Sequence, residues 1–286
     1  MAKLRRYLPL SLPLSLPLAL SLAVWLPLVF LAGGSLMGSL ELSENLAPVL
    51  SDGEGYAAWD LLPRYPTLRP YVELLFDSPQ FFVMFWNSVK LACGALLGQL
   101  VTAVPAAWWF AQYRGRVNRG LFTVYIVLML MPFQVTMVSS YLVLNAVGLL
   151  DTHWSILLPA AFSTFPVFLI YRFFRAIPRA VIESAEIDGA NAFQVFWHIG
   201  LPLGKAGIAS ALVLGFLELW NLIEQPMTFL ETKSLWPLSL YLPQITAGKA
   251  GLALAASVVT LLPAILVFLY GQSYLEQGII AASVKE

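Results

Sequence analysis

The sequence predicts an all-α integral membrane protein, a bundle of about six transmembrane helices, and three observations carry that prediction. Of the 286 residues, 59% are hydrophobic and only 11% are charged, against about 45–50% and about 25% in a soluble domain. A fold of this size cannot hide such a surplus of apolar surface, so the surplus has to face lipid. The apolar residues also gather in runs of roughly 20 or more, the length a helix needs to cross a hydrocarbon core of about 30 Å. Finally, the alternating decads of an outer-membrane barrel are absent.

In chain order the spans fall at about 8–37, 82–111, 121–144, 154–174, 207–229 and 252–275. The first follows Lys3, Arg5 and Arg6 and imitates a signal peptide. Its apolar run is too long for one, and Ala32-Gly33-Gly34-Ser35 is a poor cleavage site, so it reads as an uncleaved helix. Its Ser-Leu-Pro-Leu repeats predict an extended start that turns helical beyond Pro17. The second span carries Gly94 and Gly98 in a small-xxx-small pattern, which serves either packing within the chain or dimerisation. Pro105 in the second span and Pro132 in the third predict kinks.

Basic residues set the orientation. Lys3, Arg5, Arg6, Arg114, Arg116, Arg119, Arg172, Arg175, Arg179, Lys205 and Lys285 fall on one side, while Arg64, Arg69, Lys233 and Lys249 fall on the other. Both termini are therefore expected in the cytoplasm. The chain divides into a flank and first span (1–37), an outer segment (38–81), a five-span core (82–275) and a cytoplasmic tail (276–286). The outer segment is acidic through Glu41, Glu44, Asp52, Glu54, Asp60, Glu73 and Asp77. With Trp59, Tyr65 and Tyr71 it reads as a compact interfacial lobe.

Composition removes whole classes of function. Sixteen basic residues balance sixteen acidic ones, which argues against a nucleic-acid partner bound through bulk charge. One cysteine, Cys93, and two histidines, His153 and His198, offer no disulfide, metal cluster or hydrolase triad. The nearest string to a phosphate-binding loop, Gly200-Leu201-Pro202-Leu203-Gly204-Lys205-Ala206, is one residue short. It has a proline where backbone N–H groups should point, and alanine where a hydroxyl should bind the metal. No catalytic site and no metal site are expected in this chain, and no ATPase site of its own.

The connection 176–204 differs in kind from the others. Pro178 suits a helix start, residues 180–187 favour helix, and Asp188-Gly189 supplies a turn with a residue free to take positive φ. A second amphipathic helix with Phe193, Val195, Phe196, Trp197 and Ile199 follows, and Leu201-Pro202 is expected to end it. A segment this apolar needs either a partner surface or a bed of lipid headgroups.

Glu183-Ser184-Ala185-Glu186-Ile187-Asp188-Gly189-Ala190, with Phe196, Ile199 and Leu201-Pro202, resembles the EAA loop of permease subunits of binding-protein-dependent ATP-binding-cassette (ABC) importers. Ser184 stands where that family usually has alanine. Asn87-Ser88, Gly148-Leu149-Leu150-Asp151-Thr152, Leu158-Pro159, Phe174-x-x-Ile177-Pro178, Trp220-Asn221 and Gly278-Ile279-Ile280-Ala281-Ala282-Ser283-Val284-Lys285 look like carbohydrate-type permeases of the maltose-permease group. Ala282 and Glu286 replace glycines more common in the family.

The resemblance implies a type I importer (MetI-like) fold in a bacterial or archaeal cytoplasmic membrane. It implies three kinds of partner: a second permease subunit, a cytoplasmic ATPase dimer that binds the ATP and Mg, and an extracytoplasmic solute-binding protein. It also implies that the loop is a coupling helix seated in a groove of the ATPase. Glu183, Ala185, Asp188 and Gly189 then form the docking turn, Phe193 and Phe196 are groove anchors, and Pro202 closes the motif. Capping within the loop is the other reading of Glu183 and Asp188. Intramembrane Glu218 with Trp220 and Asn221 is a candidate solute path, since carboxylate, aromatic face and amide suit a sugar. In maltose-type systems the partner permease can hold most of those contacts. The outer connection 230–251, with Trp236, Tyr241 and Pro243, is expected to meet the binding protein. A non-sugar solute such as a glycerophosphodiester or polyamine is the alternative within the family. A secondary transporter or a non-transport membrane subunit is the alternative outside it.

Overall fold

The computed structural model describes residues 12–50, 56–58, 60–113, 115–241 and 249–283. Lys3, Arg5, Arg6, Asp52, Glu54, Trp59, Arg114, Pro243, Val284, Lys285 and Glu286 lie outside the described residues, as do the repeats before Leu12. The described secondary structure is helical throughout, in the order α1 (Leu12–Gly34), α2 (Ser39–Leu50), α3 (Arg69–Phe76), α4 (Pro79–Gln112), α5 (Arg116–Met129), α6 (Phe133–Ala146), α7 (Trp154–Ala161), α8 (Thr164–Arg175), α9 (Arg179–Ile187), α10 (Ala192–Val195), α11 (Leu201–Trp220), α12 (Glu224–Phe229) and α13 (Ala250–Ser283). Among the described residues five stretches are long and apolar enough to cross a membrane, and six if the bent pair α5–α6 counts as one span.

The chain separates into two units, Met1–Pro79 with Leu242–Leu261, and Gln80–Tyr241 with Leu262–Glu286. In the first, α1 is helical from Leu12 and passes through Pro17 and Pro27. This corrects the expected extended start. In lipid a helix is the way for a single segment to satisfy its own backbone, and that requirement outweighs the two donors the prolines lack. Leu22, Val24 and Trp25 remain 60% or more exposed, as lipid-facing side chains should. The outer segment contains α2 and α3. Within it the Glu41 carboxylate accepts from the Arg64 N–H at 2.8 Å. Met37, Leu42 and Ala250 form the small core of this unit.

The core of the second unit is formed by Ala103, Ala107 and Phe110 of α4, Val167, Ile170 and Phe174 of α8, Ile182 of α9, and Val195 of α10. α4 continues unbroken through Pro105. Gly98 touches the other side of that helix closely enough that a β-carbon would lie 2.5 Å from the Ala161 Cβ, so the small-xxx-small pattern serves contact within the chain.

Three of the expected spans are interrupted, each ahead of a proline. α5 and α6 meet at 103°, because Pro132 takes extended geometry (φ −67°, ψ 150°) and bars Met131 from continuing a helix. The fourth span breaks between α7 and α8, where Pro166 would drive its ring into the Phe162 carbonyl four residues back. The fifth is the largest correction. It runs over Ala192–Trp220, not 207–229, and ends where Pro226 similarly forbids a helical carbonyl at Leu222.

Candidate functional site

The loop expected to couple is built from local signals. α9 ends at Asp188, and Gly189 takes φ 87°, the left-handed geometry its position predicts. The Ala190 N–H donates to the Ala185 carbonyl at 3.0 Å and the Gly189 N–H to the Glu186 carbonyl at 3.1 Å. Together these form a Schellman motif. Ala185 thus contributes a carbonyl to the turn. Nothing lies within 4 Å of a β-carbon added at Gly189, so the demand for glycine is one of backbone conformation alone. Asn191 and Gln194 then form a reciprocal capping box that opens α10. The N-x-x-Q spacing at 191–194 signals this feature, although the motif reading concentrated on Glu183 to Gly189.

A π-helical turn, Phe196–Gly200, carries the chain from α10 straight into α11. Pro202 therefore does not end the second helix, contrary to expectation. It is the second residue of α11, and the wider π turn just before it gives room for the carbonyl its ring would otherwise strike. The two glycines that imitate a phosphate loop have a packing role. A β-carbon at Gly200 would lie 2.7 Å from the Trp108 ring, and one at Gly204 would lie 2.2 Å from Phe174.

The aromatic residues of the loop face two ways. Phe196 is half-buried, its ring 5.7 Å from Trp108, which in turn stands edge-on to Phe174 at 5.1 Å. The Phe196 ring packs against the protein's own core, so of the two expected groove anchors it is the less exposed. Phe193 is 68% exposed, and its stacked neighbour is Trp197, with centroids 6.0 Å apart. Ile187, at 85% exposure, is the other large apolar side chain presented beside the turn. Glu183 and Asp188 are both exposed. Glu183 lines a hollow of about 220 Å³ with Arg179, Glu186 and Gln112, and Asp188 lines one of about 350 Å³ with Gln194 and His198.

At a second location the three proline-guided breaks open on one cleft of about 370 Å³. Met131 and Phe133 reach it from the α5–α6 break, Phe162, Ser163 and Phe165 from the α7–α8 break, and Leu222 and Gln225 from the α11–α12 break. Interrupted helices at membrane depth are tolerated where they line a cavity or find other partners. Both conditions hold here. The Gln99 amide donates to the Ala160 carbonyl at 3.0 Å and the Thr102 hydroxyl to the Ala161 carbonyl at 2.5 Å, satisfying the end of α7. Gln134 on α6 donates to the Glu224 carboxylate on α12 at 2.6 Å.

Of the three residues expected on a solute path, the cleft takes only Glu218. Trp220 is 3% exposed, stacked on Phe216 at 5.5 Å and edge-on to Phe85 at 5.8 Å. Asn221 donates to the Leu217 carbonyl at 2.8 Å and finishes α11. These two residues are the structural end of the helix. Pro132, Pro166 and Pro226 were the signal for the cleft, since each marks a break that faces it.

The connections expected on the outer side are bound to each other. Asp151, at φ 53°, accepts from the Glu231 and Thr232 N–H groups at 2.9 and 2.8 Å and from the Thr232 hydroxyl at 2.5 Å. Those bonds, the Thr232 hydroxyl first, hold its carboxyl below the usual carboxylate range. The Asn87 amide donates to the Ser234 and Trp236 carbonyls at 2.7 and 3.1 Å, and Ser88 accepts from the Leu238 N–H at 2.7 Å. Trp236 is thereby held half-buried, and Tyr241 packs on Phe81 at 5.7 Å. Glu231 to Ser234 are exposed.

Residues 103–281 match the family model described as "Binding-protein-dependent transport system inner membrane component". Protein LplC of Bacillus subtilis is 28% identical over 91% of this chain and 89% of its own length. The lactose transport system permease protein LacG of Rhizobium radiobacter is 29% identical over 71% and 75% respectively. A probable ABC transporter permease protein of Pyrococcus horikoshii is 31% identical over 80% and 85%. Among solved structures, a bacterial ABC transporter involved in import of the acidic polysaccharide alginate aligns with a TM-score of 0.76 at 21% identity. That alignment covers 92% of this chain and 95% of the other.

Proposed function

This chain belongs to the family of binding-protein-dependent transport system inner membrane components, and from that premise we propose that it forms half of the translocation path of an ATP-driven importer for sugars or oligosaccharides. The observation that carries the mechanism is the loop from α9 to α10, rigid at its turn and anchored by Phe196, yet presenting Ile187, Phe193 and Trp197 outward. An exposed apolar surface on a stiff element is a docking surface, and a groove of a cytoplasmic ATPase is the partner of matching role. Closing of that ATPase moves the loop. Because the π turn makes the loop continuous with α11, the movement reaches the cleft along a single helix. ATP and Mg belong to the ATPase, and a second permease completes the path. The basic connections and both termini face the cytoplasm. An extracytoplasmic binding protein delivers the solute to the outer connections, where Glu231 to Ser234 are accessible.

The sugar reading rests on relatives such as the lactose permease and the arabinooligosaccharide permease of Bacillus subtilis, and on a cleft that mixes phenyl faces with amides and hydroxyls. The test is purification of the tagged chain from cells producing the whole system. The expected result is recovery with a second permease and an ATPase whose hydrolysis rises on adding sugar-loaded binding protein, while the isolated chain binds no nucleotide. Stoichiometric ATP binding by the isolated chain, or recovery without any ATPase, contradicts the proposal.

A further inference from the structure

We propose that Glu218 makes the cleft selective by charge, so that it accepts neutral, hydroxyl-rich saccharides and rejects acidic ones. The inference rests on the sugar reading above and narrows it. Glu218 stands in the last turn of α11, exposed into the cleft, and among the described residues its carboxylate makes no ion pair or hydrogen bond. A carboxylate at membrane depth is costly unless water or a ligand meets it, which makes it functional by default. No Lys, Arg or His lines the cleft with it. The other polar groups there, Gln99, Gln225 and several serines and threonines such as Thr136 and Ser140, are all uncharged. Amides and hydroxyls suit sugar hydroxyls, and phenyl rings such as Phe133 and Phe165 offer apolar faces to the sugar ring.

An arriving uronate would bring a second negative charge into this space with no cation from this chain to offset it. Specificity of this kind comes from repulsion of the wrong solute as much as from attraction of the right one. The contrast matters because similar proteins include a permease named for polygalacturonan and rhamnogalacturonan, and a transporter involved in the import of alginate. Similarity to those proteins therefore does not carry an acidic substrate over to this chain. At a neutral solute the same carboxylate is an acceptor for one or two sugar hydroxyls, a charge-assisted bond stronger than a neutral one.

The experiment uses the complete importer in nanodiscs without its binding protein, so that the membrane site alone is read. It is titrated with a panel of neutral trisaccharides (malto-, xylo-, galacto- and arabinotriose) and with trigalacturonate and triguluronate. The unaltered complex is expected to bind at least one neutral trisaccharide and to bind the triuronates more weakly, by on the order of tenfold or more. Glu218→Gln should lower that preference toward unity, with neutral binding weakened by the loss of the charge-assisted acceptor, and Glu218→Ser should do the same with neutral binding weaker still. An unchanged preference in Glu218→Gln, or equal binding of the triuronates by the unaltered complex, overturns the charge filter while leaving the sugar reading intact. Binding of no saccharide at all by the unaltered complex removes the sugar reading and the filter together. Loss of the second permease or ATPase from both variants shows that Glu218 holds the assembly together, and this too overturns the filter.

Discussion

The loop proposed to couple and the cleft lie along the same continuous helix, yet they are built in opposite ways. The loop is made of contacts between residues close in sequence: a Schellman turn at Gly189, a capping box at Asn191 and Gln194, and a stacked pair one helical turn apart at Phe193 and Trp197. The cleft is assembled from distant segments. Gln99 satisfies Ala160, Gln134 meets Glu224, and breaks on three different spans converge. A locally specified element keeps its shape while its surroundings move, which is what a transmitting lever needs. A site assembled from distant segments changes shape whenever those segments shift, which is what alternating access needs. The difference in construction therefore fits the difference in task.

Gly189→Val should have the largest effect. The left-handed conformation costs a residue with a β-carbon about 1–2 kcal/mol, and more for a branched one. The resulting change of turn would re-aim Phe193 and Trp197. Transport and ATPase recovery should be lost while the spans still insert, as scored by uptake and by co-purification. Insertion failure would mean that the loop is also needed for folding and would blur the contrast drawn above.

Phe196→Ala sharpens it within a single helix. The ring packs into the core of the second unit, so its loss should destabilise the purified chain by roughly 2–3 kcal/mol, read as a fall in the thermal transition. Phe193→Ala should leave that transition unchanged. Equal thermal effects would remove the inward and outward division of the loop.

Gln99→Leu tests the cleft from the opposite side. Removing its amide leaves the Ala160 carbonyl without that donor, at a cost of about 1–3 kcal/mol. Solute binding should weaken more than ATPase recovery. A variant that loses the ATPase and keeps solute binding would reverse the assignment of the two regions.

The smallest effect concerns the outer connections. The Asp151 carboxyl is lowered by its bonds to Thr232 and Glu231. The stabilisation is therefore present above the carboxyl's unfolded value, about 3.9, and is lost as pH falls through its lower folded value. Amide exchange at Glu231 and Thr232 should be slow near neutrality and should lose protection only in strong acid, with Asp151→Asn already less protected at pH 7. Protection that is the same in Asp151→Asn would show that Asp151 does not hold this connection.

These two ways of building also decide what was legible in the sequence. Gly189 was readable because a turn after a short helix needs one particular backbone conformation, and Asp-Gly announces it. The orientation of Phe196 was not readable, since residues 193, 196 and 197 all look alike as apolar positions of a short helix. Only Trp108, far away in α4, determines which of them is core. Pro202 misled for a related reason: a proline signals a helix end unless a π turn makes room ahead of it. Pro132 suggested irregularity correctly while Pro105 did not, and convergence of the breaks near Pro132, Pro166 and Pro226 on one cleft depends on packing between spans. Trp220 and Asn221 had the right chemistry for a sugar, and tertiary placement sets both outside the lining of this cleft.

The central claim is that the outward-facing aromatic pair of the loop is what the ATPase holds. Its most direct test is recovery of the ATPase with the tagged chain when Phe193 and Trp197 are both replaced by alanine in the complete importer. The expected result is loss of the ATPase and of uptake, with the second permease still recovered and the thermal transition of the chain unchanged. Full ATPase recovery with normal uptake would contradict the claim and assign the coupling contact elsewhere.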